Sequence, residues 1–340
     1  MTRICLIPRL PGTGGPASFQ AKLAEGLNQR GVQVCYSLDE TPYDAVLVIA
    51  GTRRYLGDLW RVKKRGVRVV HRLDGLNWLH RRRKTSARIF LRAELNNRIV
   101  AGIRRRLADH VVYQSQFVHD WWEDWYGATR IPWTVIHNGV NLSFYTPDGP
   151  EKRAEDVYRM LLVEGSLAGG QDVGLGSALQ LAECLQQEHG LAMEVVVAGL
   201  LTPKLEREWK ARAHVPLTLL GVVKREDVPA LERAAHVFYS AEPNPPCPNS
   251  VIEALACGLP VAGFATGALP ELVVGEAGCL VPYGGDPWRL DKPDVPGLAK
   301  AVVGILNNQE RFRAGARSHA EKALGLDRMV EAYLEVLLGL

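Results

Sequence analysis

The feature that most constrains this chain is an alternation of short, unbroken apolar runs with stretches of helical period. RICLI, AVLVIAG, VRVVHRL, ADHVVYQS and WTVIHNGV are runs of the first kind. Between the first two lies FQAKLAEGLNQRG, where Phe19, Leu23 and Leu27 recur at i, i+4 and i+8 and Gly31 stands where a helix would end. A strand that is apolar at every position has protein on both faces, as in a parallel sheet between two helical layers. The alternation pauses at NLSFYTPDGPEKRAEDVYRM, a polar stretch carrying Pro147, Gly149 and Pro150, and then resumes with MLLVEGS, AMEVVVAG, PLTLLGVV, HVFYSAE and LPVAGFAT. The pattern predicts an α/β fold of two similar units with parallel sheets, joined near residue 150, and helical segments at the end of the chain.

Length and composition agree. The 340 residues fit two domains of roughly 150 each. With 47% hydrophobic and 23% charged residues, the chain has the balance of a soluble globular protein and too much apolar content for disorder. The longest uncharged stretch, Ala254 to Pro270, is broken by Gly258, Pro260, Gly263 and Gly267, so no spanning helix is expected. Arg3 and Arg9 bracket only a short apolar run, so no secretory signal is expected either. The six cysteines are scattered without a CxxC pair, which points to reduced, buried thiols in a cytoplasmic protein rather than metal ligands or disulfides. A net charge of +4 calls for no nucleic-acid partner.

In open α/β sheets, ligands bind beyond the carboxyl ends of the strands, and two facing sheets would enclose a cleft. Four strand-end motifs stand out. PGTGGPAS follows the first strand: Gly12, Gly14 and Gly15 would let backbone approach a ligand, and the helix behind would turn its amides toward an anion. Its spacing is neither a dinucleotide fingerprint nor a phosphate-binding P-loop, and a plain tight turn explains it equally. VVHRLDGLNW offers His71 and Asp74 to orient or share a proton with a substrate hydroxyl, against an ordinary ion pair of Arg72 with Asp74. The stretch 72–106 is strongly basic, with only Asp74 and Glu94 in opposition. It suits an anionic acceptor or anionic lipid headgroups, and the alternative is a solvated helix face. In the fourth, YSAEPNPPCPNSVIEALACGLPVAGFATGALPELV, Asn249 or Ser250 is placed to cap a helix and Glu253 lies in its first turn. A carboxylate there can accept two neighbouring hydroxyls, as on a ribose, and the helix amides can hold a diphosphate. The loop at Gly267 would flank the same ligand. The alternative is a structural helix with an ordinary glutamate.

This fourth string resembles the GT-B glycosyltransferases, in particular their large retaining group, family four. Its run IEALACGLPVAGFATGALPELV is similar to the family's at Glu253, Ala254, Ala256, Gly258, Pro260, Val261, Gly267, Pro270 and Glu271. ADHVVYQSQF, VIHNGVNLSFYTP, LLVEGSL and GVVKREDVPALERAAHVFYS follow in the family's order. The resemblance implies a GT-B fold of two facing Rossmann-like domains, residues 1–150 and 151–325, with a last helix over 326–340 packing back on the first, a nucleotide-sugar in the second domain, an acceptor on the first, retention at the anomeric carbon and no metal. It implies Glu253 on the ribose, Gly14 and Gly15 beside the donor phosphate, and a catalytic supporting role for His71 or Asp74. No Asp-x-Asp pair occurs in the sequence, in keeping with a diphosphate neutralised without metal.

There are departures. The family's first glutamate falls on Pro245, with Glu242 three residues earlier. Cys247 to Ser250, with Asn249 as the polar contact, would then form the sugar-facing wall. The family's phosphate-gripping Arg and Lys fall on Ser166 and Gln171, and Lys204, Arg207, Lys224 and Arg225 are the nearest cations to replace them. The expected function is therefore metal-independent, retaining transfer from a nucleoside diphosphate-sugar to an acceptor that is anionic or lipid-linked, without a cofactor. Peripheral membrane contact would run through the basic stretch. The alternatives are a non-catalytic GT-B scaffold and a sugar-nucleotide epimerase on the same architecture.

Overall fold

The computed structural model describes residues 1–12, 14–51, 54–167 and 173–340. They form two compact units, Met1–Gly139 with Leu326–Leu340, and Val140–Gly325.

The first unit runs β1 (Arg3–Ile7), α1 (Gly15–Gln29), β2 (Gln33–Cys35), β3 (Ala45–Ile49), α2 (Leu56–Lys64), β4 (Arg68–Leu73), α3 (Ala87–Arg106), β5 (His110–Tyr113), α4 (Gln116–Tyr126) and β6 (Trp133–Val135). All six strands are parallel, in the order β2-β1-β3-β4-β5-β6. The strands are buried on both faces because alternate residues feed different cores. Ile4 and Leu6 pack with Phe19, Leu23 and Leu27 of α1. Cys5 and Ile7 pack with Leu59 and Val62 of α2 and Ile103 of α3. Gly31, at φ 74, takes the left-handed turn that ends α1, and the amide of Val32 donates back to the Leu27 carbonyl at 3.0 Å.

The second unit runs β7 (Tyr158–Ser166), α5 (Val173–His189), β8 (Met193–Leu200), α6 (Pro203–Arg212), β9 (Leu217–Gly221), α7 (Val228–Ala234), β10 (Val237–Tyr239), α8 (Asn249–Ala256), β11 (Val261–Phe264), α9 (Leu269–Leu272), β12 (Gly278–Val281), α10 (Val295–Asn307) and α11 (Gln309–Ala323). Its parallel sheet has the order β12-β11-β10-β7-β8-β9. The chain builds outward from β7 in one direction and from β10 in the other, so the crevice between these two strand ends is its topological switch point.

The last helix, α12 (Leu326–Leu338), belongs to the first unit. Met329, Val330, Tyr333 and Leu337 join the α1 core. The Tyr333 ring lies 5.2 Å from that of Phe19, and Arg30 donates to Asp327 at 2.7 Å. A Cβ on Gly26 would fall 2.4 Å from Val330, so glycine is what lets the two helices approach.

Candidate functional site

In the first unit, the loop after β1 leads into α1 with Gly14 as its N-cap and Pro16 in the first turn. Gly14 has no side chain to cap with, and space for a Cβ is open around it. Gly15 is the first helical residue.

The motif at β4 sits differently from its expected strand-end projection. His71 is an interior strand residue with no exposed surface, and Arg72 is 1% exposed. A carbonyl can only accept, so His71 Nε2–H donates to Ala50 O, 2.7 Å away. Nδ1 then bears the lone pair and meets no hydrogen-bond partner among the described residues. Burial, and then the nearby Arg104 cation, push the imidazole down to about 4, with the Ala50 bond in opposition. Ala50 itself is left-handed at φ 56, where the chain leaves β3, so His71 holds a strained turn.

Asp74 follows the strand and pairs with Arg72 Nη1. Arg72 is a hub: Nη2 donates to Gln114 Oε1 at 2.7 Å and Asn138 Oδ1 at 2.9 Å, and its guanidinium lies 3.8 Å over the Phe19 ring. The Trp122 indole donates to the Asp74 carbonyl at 2.9 Å. Of the two candidates, only Asp74 keeps part of its side chain open, at 21%.

In the second unit, α8 is helical from Asn249, but its N-cap is Pro248, not Asn249 or Ser250. Proline offers no side-chain oxygen, and no side chain caps this helix start. Glu253 accordingly falls in the second turn rather than the first, and it is 8% exposed. Cys247 is 4% exposed, an interior residue and not part of an open wall. None of the six cysteines is in a disulfide, with Cys184 and Cys279 half-buried and the others buried.

Gly267 has a structural task. Its φ is 58, and a Cβ would fall 2.5 Å from Pro245 N and O. The amide of Ala268 donates to Pro245 O at 2.8 Å. The position expected to carry the family's first glutamate is thus the seat on which the β11–α9 loop rests, with Gly267 packed on it.

Two further acids stand near the carboxyl end of this sheet. Glu164, half-buried near the end of β7, is pushed up to about 8 by desolvation and then by the Glu242 charge. Glu242, just beyond β10, keeps solvent contact at a pocket mouth, yet the surrounding protein desolvates it enough to raise it to about 7. β7 and β10 are neighbouring strands, so both residues stand near the switch point, close enough for the Glu242 charge to act on Glu164. Ser166 closes β7 after a register shift between Val163 and Ser166 that redirects the strand end.

The pocket that Glu242 borders, of about 170 Å³ and open to solvent, lies at the carboxyl ends of β10 and β11. The N-terminus of α5, Phe264 and Tyr283 wall it, and Tyr239 shares a hydrogen bond of 2.8 Å with Ser177. Lys292 is the one cation among its described lining residues, and nothing in the sequence motifs marked it. Of the cations considered from sequence, Lys204 pairs with Glu208 and Lys224 with Glu226, while the Arg207 Nε donates to Pro203 O. Gln171 lies outside the described residues.

The basic stretch does not form one field. Arg72 and Arg104 are buried, the latter donating to Tyr113 Oη at 2.7 Å and Gly127 O at 2.8 Å, and Arg81 is paired with Glu94. Among the described residues, no helix is long and apolar enough to cross a membrane, and no three His, Cys, Asp or Glu side chains gather as a metal site.

Residues 159–308 match the family model described as Glycosyl transferases group 1. No curated protein matches the sequence. Among solved structures, the chain is similar to sucrose-phosphate synthase (tll1590) from Thermosynechococcus elongatus, with a TM-score of 0.74 at 17% identity over 99% of this chain and 98% of that one. It is also similar to Anabaena Alr3699/HepE in complex with UDP-glucose, with a TM-score of 0.71 at 18% identity over 100% of both chains. A third is WaaG, a glycosyltransferase involved in lipopolysaccharide biosynthesis, with a TM-score of 0.69 at 15% identity over 100% of both. At such identities the likeness is one of fold. The second unit of this chain carries a Glycosyl transferases group 1 domain, within a chain that has the fold of the GT-B glycosyltransferases.

Proposed function

We propose that the protein transfers a sugar from a nucleoside diphosphate-sugar to an acceptor hydroxyl, with retention and without metal. The observation that carries this reading is the family match over 159–308, a span that contains Ser166, Asn249, Ser250 and Glu253 on one sheet end. The donor diphosphate lies against the uncapped amides of α8, whose positive end offsets part of the charge otherwise met by cations. Glu253 accepts the ribose hydroxyls. The Glu164–Glu242 pair faces the transferred sugar: one carboxyl protonated and one ionised can donate to and accept from its hydroxyls. In the first unit, the amides at Gly14 and Gly15 provide a second anion contact. Asp74, held by Arg72, orients the acceptor hydroxyl, while His71 acts from within the sheet by fixing the Ala50 turn. Retention and metal independence follow the family resemblance, supported by the amide-rich helix end.

Solved HepE complexes contain UDP-glucose, UDP and glucose, which makes UDP-glucose the first donor to test. Incubation of the protein with UDP-glucose in chelator should release UDP, and Glu253→Ala should abolish the release. With an acceptor in hand, NMR of the early product should show the donor's anomeric configuration. An inverted product would overturn retention, and strict dependence on added divalent metal would overturn metal independence. If wild-type protein turns over none of a panel of nucleoside diphosphate-sugars, the reading fails.

A further inference from the structure

Helix α3 is anchored by one end only. Its buried residues are Asn97, Val100, Ala101, Ile103 and Arg104, all in its second half. The first two turns bury nothing and are not simply polar: Leu91 is 66% exposed, Ile89 55% and Leu95 46%. Arg88, Leu91, Arg92 and Leu95 stand at i, i+3, i+4 and i+7, so guanidinium groups and aliphatic side chains share one solvent-facing stripe. Exposed Arg82 and Lys84 before the helix and Arg98 after the stripe extend the positive rim.

Glu94 is the only acidic residue between Asp74 and Asp109. Arg81 grips both of its oxygens, at 2.5 and 2.9 Å, and His80 Nε2 lies 2.8 Å away. The Arg81 bonds lead in holding this carboxyl at about 2, so its charge is spent internally. The same clamp fixes the exposed turns, together with Asn97 donating to Asn77 O at 2.9 Å and the Ser86 cap on the Ile89 amide.

A rigid, exposed apolar ridge interleaved with cations and free of available anions needs an apolar, anionic cover. We propose that this face of α3 docks on the surface of an anionic lipid bilayer, with Leu91 and Leu95 entering the acyl boundary and the flanking cations meeting headgroup phosphates. A second copy is the poorer cover, because self-pairing of this face would set Arg88 and Arg92 against their own like charges.

Flotation with phosphatidylcholine vesicles, with and without phosphatidylglycerol, tests this directly and needs no turnover, so its outcome is independent of the proposed transfer activity. The full chain should float with the anionic vesicles at low salt and be largely released at high salt. Leu91→Ser with Leu95→Ser should lower partitioning about tenfold or more at an unchanged melting midpoint. Arg88→Gln with Arg92→Gln should lower it by about fivefold per charge removed. No binding to anionic vesicles, or binding that neither pair of changes reduces, would overturn the proposal. So would sedimentation showing a dimer that the leucine pair disrupts while vesicles bind nothing.

Discussion

The two units carry the same sheet architecture and spend their strand-end polar residues in opposite ways. At β4, the polar groups are bonded to one another and to backbone: His71 to Ala50, and Arg72 to Asp74, Gln114 and Asn138. At β7 and β10, Glu164 and Glu242 stand near the strand ends, Glu242 on the border of a pocket, and α8 begins with no side-chain cap. A polar group consumed by structure contributes stability, whereas one left desolvated and open is held ready for a ligand. The first unit's polar cluster is thus tied into the fold, and the second unit's is the one that the proposed function uses as a site.

The comparison can be broken most forcefully at Arg72. Replacing it with Met should strand Asp74, Gln114 and Asn138 and cost about 3–5 kcal/mol in urea denaturation. Six of the eight tryptophans (Trp60, Trp78, Trp121, Trp122, Trp125 and Trp133) lie in the first unit, so their fluorescence follows its unfolding. A cost under about 1 kcal/mol would mean that the hub is not structural.

Acidification should reach His71 next. Its folded value, near 4, lies below the ordinary one of 6.5, so between these pH values the unfolded chain binds more protons. The stability that His71 contributes is thus complete above pH 6.5 and is lost as pH falls toward 4. His71→Gln should flatten that slope in the same fluorescence assay, by up to roughly 3 kcal/mol. An unchanged slope would place the titration elsewhere, with His236, also held near 4 chiefly by burial, as the group to examine.

In the second unit, Gly267→Ala should cost about 1–3 kcal/mol, because the new Cβ meets the Pro245 backbone at a left-handed φ. Calorimetry should show UDP binding weakened with it, as the loop on which α8 depends shifts. A stable variant with intact binding would show that the loop has room to adjust.

The smallest effect is the most specific. Glu164 and Glu242 titrate near 8 and 7, so they are neutral below this range and anionic above it. UDP affinity should therefore rise severalfold as pH falls from about 8.5 to about 6.5, as negative charge beside the diphosphate is removed. Glu242→Gln should remove most of that dependence, and a pH-independent affinity would separate the pair from the donor.

Much of the fold was legible in the sequence, because unbroken runs such as AVLVI and the i, i+4, i+8 spacing of Phe19, Leu23 and Leu27 each have one stable solution. The α8 helix was legible too, but its cap was not: Asn249 and Ser250 are favourable caps, yet Pro248 sets the helix start. VVHRL does not disclose whether His71 is inside or beyond its strand, since one residue of strand extension decides it. The Glu164–Glu242 pair was out of reach, because it exists only once β10 pairs with β7 across two intervening strands. On α3, the count of arginines was visible, but which of them are buried and which leucines are exposed depends on the half of the helix that packs.

The claim that donor binding resides in the second unit is tested most directly by titration calorimetry of UDP into the wild type, Glu253→Ala and Asp74→Ala. The account predicts binding by the wild type, loss of measurable heat in Glu253→Ala, and affinity within about threefold of wild type in Asp74→Ala. Loss of binding in Asp74→Ala with full affinity in Glu253→Ala would contradict it.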